Sequence, residues 1–179
     1  MSVLVLGEGP IARHLRATVV SDVAAAVVVT EVDGARGVGP IEELDDATID
    51  AVFEQPMQKV IAGLQQAHAA GVERIVVIVP TIGMSGGDRH AVHAALAEAA
   101  RITVKSAARQ WGPDGITVNA VALAPEEFGV DPAVSGPVAI APRAMRGTVD
   151  ASNTVNWLCS GAAAHVTGQT VVCDGGLWM

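Results

Sequence analysis

Five short apolar runs constrain this chain more than any other feature. They are Val3-Leu-Val-Leu6, Val23-Ala-Ala-Ala-Val-Val-Val29, Arg74-Ile-Val-Val-Ile-Val79, Ile116-Thr-Val-Asn-Ala-Val-Ala122 and Thr170-Val-Val-Cys173, and none alternates cleanly with polar residues. A strand that is apolar on both faces has to be covered on both faces, which is the condition of a parallel sheet between helical layers. The intervening segments supply those layers. An Ala/Leu/Arg segment follows Ala12. Asp45 to Ala70 carries Ile49, Val52, Phe53, Met57, Val60, Ile61 and Leu64 at three- and four-residue steps. Ala91 to Trp111 is rich in Ala, and Val149 to Cys159 makes a further helix. The expectation is one α/β domain over residues 1–179, a Rossmann-like doubly wound sheet of about five mostly parallel strands.

Interruptions have equally definite readings. Pro56 lies inside the Asp45–Ala70 segment and predicts a kink or break there. Asp33 to Pro40 and Pro80 to Asp88 read as glycine-bearing loops, Gly112-Pro-Asp-Gly115 as a helix stop, and Pro125 to Pro142 as a Pro/Gly-rich loop. Composition narrows the function classes. Half the residues are hydrophobic but only 3% are aromatic, with no Tyr, so the core is built from Ala, Val, Ile and Leu. A net charge of -8 argues against nucleic-acid binding, which needs Lys and Arg to meet phosphates. The first residues lack the basic start and apolar core of a signal peptide, and no apolar run reaches membrane-spanning length. Cys159 and Cys173 have no metal-ligand spacing with the histidines, so both are expected as free thiols and no metal site is expected. These features together predict a soluble cytoplasmic protein.

The first strand runs into Gly7-Glu-Gly-Pro-Ile-Ala12 and then a helix, the order of a dinucleotide-binding turn. Gly7 suits the tight bend, Gly9 the close approach of a phosphate, and Ala12 close helix packing. By itself the same pattern also serves as a plain strand-to-helix turn.

From Asp45 onward the chain resembles the short-chain dehydrogenase/reductase family. The resemblance rests on Ser106-Ala-Ala-Arg-Gln-Trp-Gly-Pro-Asp-Gly-Ile-Thr-Val-Asn-Ala-Val121, on Arg146-Gly-Thr, on Val155-Asn-Trp-Leu158 and on Ala164-His-Val-Thr-Gly-Gln-Thr-Val-Val-Cys-Asp-Gly-Gly176, in the family's order. It covers roughly three-quarters of the chain. The family works with a Tyr that moves the substrate proton, a Lys that lowers the Tyr pKa, a Ser that polarises the carbonyl and an Asn that holds a relay water. An unperturbed Tyr titrates near pH 10 and needs a neighbouring cation to act near neutrality. Counted back from Trp111-Gly112, the Tyr position falls on His93, the Lys position on Ala97, the Ser position on Pro80 and the Asn position on or near Pro56. None of the four functional types is present.

A second departure concerns the cofactor. Only about twenty residues separate Leu6 from Val27, so the family's second and third strands, which carry the adenosine side, are expected to be missing. Asp22 to Val32 takes the place of a later family strand, with Thr30-Glu31 where the family has two Asn. Glu8 and Glu31 add negative charge beside a would-be pyrophosphate. The resemblance therefore implies no catalytic residues, no cofactor-binding residues and no NAD(P).

Among the remaining side chains, His93, with Asp88, Arg89 and His90 nearby, is the one candidate general acid or base. A His on an Ala-rich helix is more often a packing residue. Thr81 and Ser85 are hydroxyls without an identified activating base. Glu42, Glu43, Asp45 and Asp46 precede a helix, where capping explains them better than metal binding.

In the resembled family the helix pair matching Asp45–Ala70 and Ala91–Trp111 builds one subunit contact, and the last helix and strand build another. The resemblance thus implies an inactive subunit with a structural or regulatory role. Its partner is expected to be itself or an active full-length relative, in a dimer or tetramer. Some such heteromers act on hydroxyacyl-CoA substrates. The alternatives are a hydration, elimination or isomerisation using His93, and a phosphate-ligand module at Gly7–Ala12.

Overall fold

The computed structural model describes residues 3–130 and 151–176. Strand β1 (Val3–Leu6) leads through α1 (Gly9–Thr18) to β2 (Ala25–Val29). A short helix α2 (Asp46–Ile49), a π-helical turn (Asp50–Glu54) and α3 (Gln55–Ala69) then lead to β3 (Arg74–Pro80). Next come α4 (Ile82–Ser85), α5 (Ala91–Trp111), β4 (Thr117–Leu123), α6 (Ser152–Cys159) and β5 (Thr170–Cys173). All strand pairs are parallel, in the order β1-β2-β3-β4-β5.

The apolar runs form strands because both faces are covered. On one face Ala12 and Leu15 of α1 and Val155 and Leu158 of α6 pack on Val27, Val29, Ile78 and Val121. On the other, Val60 and Leu64 of α3 and Ala100 and Val104 of α5 pack on Val28, Ile75, Val77 and Ala120. Successive residues of each strand therefore serve opposite layers. Strands β2, β3 and β4 are buried throughout. The edge strand β1 is only partly so. On its open edge, the Arg16 guanidinium donates to the carbonyls of Val5 (3.4 Å) and Gly7 (2.6 Å), a cation placed where an unpaired strand edge would otherwise invite another chain.

The positions of the helices have a topological consequence. The strand order steps in one direction, so connections of one hand would all lie on one face. Here α1 and α6 lie on one face, and α3 and α5 on the other. The β1–β2 connection is therefore opposite in hand to the two central ones, although parallel crossovers are right-handed in about 98% of cases.

Several boundaries differ from the sequence reading. The second strand starts at Ala25 rather than Val23, and the fourth runs from Thr117 to Leu123. Pro80 is the last residue of β3, and the expected Pro80–Asp88 loop contains α4. Asp45–Ala70 is not one uniform helix. Pro56 falls in the first turn of α3, directly after the π-helical turn. A proline in a helix lacks the N–H and crowds the carbonyl four residues back, and a widened turn relieves both. The last helix starts at Ser152. Arg146-Gly-Thr, the expected helix residues Val149 and Asp150, most of the Pro125–Pro142 loop, and Leu177 to Met179 lie outside the described residues.

Candidate functional site

In parallel α/β sheets ligands gather where strands end and helices begin. At the end of β1, Gly7 has φ +118°, and a Cβ there would meet the Val29 carbonyl oxygen at 2.9 Å, so only glycine fits the bend. Gly9 has φ +90° and faces open space, with nothing within 4 Å of where a Cβ would stand, and Ala12 is fully buried beneath the helix. The turn thus has the geometry expected from its spacing. Beside it lies a cavity of about 450 Å³, lined by Glu8, Ile11, Thr30, Glu31, Glu127 and Phe128 among others. Three carboxylates border it, and among the described residues only that of Glu31 has a cationic partner, Lys59 Nζ at 2.6 Å. Thr30, on the same wall, is 1% exposed, and its hydroxyl has no hydrogen-bond partner among the described residues.

Two features of this arrangement bear on a dinucleotide. The open glycine could admit one phosphate, yet the carboxylates oppose the charge of a pyrophosphate. Among the described residues no strand lies beyond β1 to carry the adenosine side.

The positions counted from the family's motif are all buried. His93 and Ala97 are fully buried on α5, Pro56 is buried on α3, and Pro80 is buried at the end of β3. The His93 ring lies beneath the loop that follows β2. Its Nε2 donates to the Asp33 carbonyl at 2.9 Å, since a carbonyl can only accept. That leaves Nδ1 as a buried acceptor without a partner among the described residues. Burial pushes the His93 pKa below its ordinary 6.5, outweighing the hydrogen bond to Asp33, so the ring is neutral near pH 7. His90 sits beside it with ring centroids 5.2 Å apart and its own Nδ1 on the Asp88 carbonyl at 2.7 Å.

The roof over this pocket is tight. Gly34 abuts the Gly129 carbonyl so closely that no side chain fits there, and Gly39 N donates to the Arg89 carbonyl at 2.8 Å. Below it, α4 presses on α5: a Cβ on Gly83 would meet the Ala97 Cβ at 2.8 Å and the Glu98 nitrogen at 2.7 Å. Space that a Lys at 97 would need is taken by backbone. Sequence reasoning missed both α4 and this roof. The clue available was the glycine pair Gly34 and Gly83, whose role depends on contacts distant in sequence.

The other candidates fall into structural roles. Asp45 caps α2 by accepting from Thr48 N at 2.8 Å, and its carboxyl pKa is lowered first by the Thr48 side chain and then by that backbone bond, in keeping with capping. Ser85 donates to the Gly86 carbonyl at 2.9 Å, and Thr81 is 1% exposed. Asp88 and Arg89 are exposed, Arg89 with φ 60°. Cys159 and Cys173 are free thiols, and burial pushes Cys159 up to about 12, which makes it inert. Among the described residues no group of His, Cys, Asp and Glu has the arrangement of a metal site, and no helix is long and apolar enough to cross a membrane.

Comparison with known proteins decides the lineage. The family described as enoyl-(acyl carrier protein) reductase matches residues 15–178. The chain belongs to the short-chain dehydrogenase/reductase family. It is 29% identical over 143 residues to 3-oxoacyl-(acyl-carrier-protein) reductase FabG of Escherichia coli (strain K12), covering 76% of this chain and 57% of that protein. It is 33% identical over 115 residues to peroxisomal 2,4-dienoyl-CoA reductase of Pongo abelii, covering 59% of this chain and 39% of that one. The chain therefore spans little more than half the length of the first of these relatives and less of the second. A crystal structure of YwfH, an NADPH-dependent reductase of bacilysin biosynthesis, matches with TM-score 0.63 at 19% identity, over 85% of this chain and 66% of that chain, which establishes the shared fold. This short-chain dehydrogenase/reductase shares that fold, with five parallel strands among the described residues. The Gly7–Ala12 turn lies ahead of the matched residues.

Proposed function

We propose that this chain is a catalytically silent short-chain dehydrogenase/reductase subunit with a structural or regulatory role, assembling with itself or with an active full-length relative. The observation that carries the proposal is His93. At the position of the family's catalytic Tyr stands a fully buried, neutral ring whose one N–H is committed to the Asp33 carbonyl. A proton-transfer group has to reach its substrate within hydrogen-bond distance, and this one faces backbone under a closed roof. The same geometry speaks against hydration, elimination or isomerisation by His93. The carboxylates of Glu8, Glu31 and Glu127 speak against NAD(P), and equally against a phosphate module at Gly7–Ala12.

The assembly part of the proposal rests on surfaces away from the cleft. Helices α3 and α5 expose Ile61 (42%) and Ile102 (48%), and α6 exposes Trp157 (43%). These are the elements that build subunit contacts in the resembled family. The relatives named above, a 3-oxoacyl-(acyl-carrier-protein) reductase and a 2,4-dienoyl-CoA reductase, make a reductase of acyl-carrier-protein or CoA substrates the first partner to try.

Co-expression of this chain with a full-length relative from the same organism tests the proposal by native mass measurement. The expected result is a mixed dimer or tetramer whose turnover is unchanged by His93→Ala. Self-assembly alone with every relative tried overturns the heteromeric form, and a large loss of turnover in the variant restores His93 as a catalytic group.

A further inference from the structure

At the opposite end of the sheet from the cleft, the turn before β5 and the second half of α5 enclose a cavity of about 330 Å³, lined by Lys105, Ala108, Arg109, Thr167, Gly168 and Gln169. Its walls are unusual for a chain of net charge -8. Among the described residues no carboxylate lines it, and it holds two cations on successive turns of one helix. Neither Lys105 nor Arg109 has an ion pair or hydrogen bond among the described residues. Arg109 in the last turn suits the negative end of the α5 dipole, but Lys105 lies a turn earlier and gains little from it. Like charges four residues apart on a helix repel.

Of the polar groups opposite, the Thr167 hydroxyl oxygen is turned to β4 and the Gln169 amide is anchored within its own turn. Thr167 Oγ1 accepts from Val118 N at 3.1 Å, which leaves the hydroxyl hydrogen to point elsewhere. Gln169 Nε2 donates one hydrogen to the Thr167 carbonyl at 3.1 Å and keeps a second. The turn itself is pinned by Gly168 N to the Val118 carbonyl (2.8 Å), by Gln169 N to Asn119 Oδ1 (3.1 Å) and by Asn119 Nδ2 to the Val166 carbonyl (2.8 Å). Gly168, with φ +69°, permits the bend. Asn119 is fully buried, so the turn is fixed before any ligand arrives.

From this juxtaposition we infer that the α5–β5 cavity is a binding site for a phosphoryl dianion, either free phosphate or the head of a small phosphate monoester. Two unpaired cations match two negative charges, and a hydroxyl and an amide supply further donors to a tetrahedral oxyanion. The space beyond one phosphate leaves room for the start of an ester. The site is separate from the Gly7–Ala12 turn and does not depend on the silent-subunit reading.

The test is calorimetric and thermal titration of the full chain at pH 7.5 with inorganic phosphate, and with glycerol 3-phosphate against glycerol, ionic strength being matched with chloride. Wild type should show saturable, phosphate-specific binding and a raised melting temperature. Lys105→Ala with Arg109→Ala should weaken binding about tenfold or more, and Arg36→Ala, a remote exposed cation, should leave it unchanged. Both site side chains are exposed, so the double variant should keep its helical circular dichroism. If it does not, the single substitutions Lys105→Gln and Arg109→Gln carry the comparison. Tighter binding of the ester than of free phosphate assigns the site to a monoester, and equal binding assigns it to phosphate. Absence of a phosphate-specific response in wild type, or an equal response in the variants, overturns the inference.

Discussion

The His93 ring is held neutral by burial, so the unfolded chain takes up a proton at this position at a higher pH than the folded chain does. The sign follows directly: stability from this residue is full above the ordinary value of 6.5 and declines as pH falls from there toward the depressed folded value. Melting temperature should therefore drop between pH 7.5 and 5.5 more steeply in wild type than in His93→Gln, which can still donate to Asp33 but does not titrate. Equal slopes would mean that His93 opens to solvent and is not the packed group described above. Sequence alone named His93, Pro80 and Ala97 as the substituted positions, because they are fixed by counting along one family motif. It could not tell whether the His faced a cleft or a wall. That depends on Asp33, sixty residues away, and on the contact of Gly34 with Gly129.

At the scale of elements, α5 and β5 fall where their sequence patterns place them, since each carries its own determinants: Ala-rich periodicity ended by Gly112-Pro113, and β-branched residues after Gly168. Helix α4 was not legible. Ile82-Gly-Met-Ser85 has poor helical propensity, and its conformation is held by packing on α5. That contact gives a test. Gly83→Ala inserts a methyl against Ala97 and the Glu98 backbone and should cost roughly 1–3 kcal/mol in denaturant unfolding, as overpacking does. A neutral outcome would show that α4 can lift away and that the pocket beneath it is not closed. The helical pair α3–α5 is joined at its far end by His68 stacked on Trp111, with centroids 4.6 Å apart.

At the scale of the whole molecule, the two hands of crossover and the edge position of β1 belong together. If the central connections through α3 and α5 are the ordinary right-handed ones, a right-handed exit through α1 would reach a strand on the outer side of β1. In this chain it crosses instead to β2. The face is nonetheless sewn together. Ser21 Oγ donates to the Cys159 carbonyl at 2.6 Å, Val20 N to Asn156 Oδ1 at 2.8 Å and Gly161 N to Asp22 Oδ1 at 3.0 Å, so α1 and α6 close one layer. The fold has the shape of its family with the adenosine side absent from the described sheet.

A calorimetric titration of the isolated chain with NADH and NADPH puts that absence to the test. No saturable binding in the micromolar range is expected for either, because three carboxylates border the remaining turn and no strand beyond β1, among the described residues, holds an adenosine. A micromolar dissociation constant for either dinucleotide would refute the silent, cofactor-free subunit.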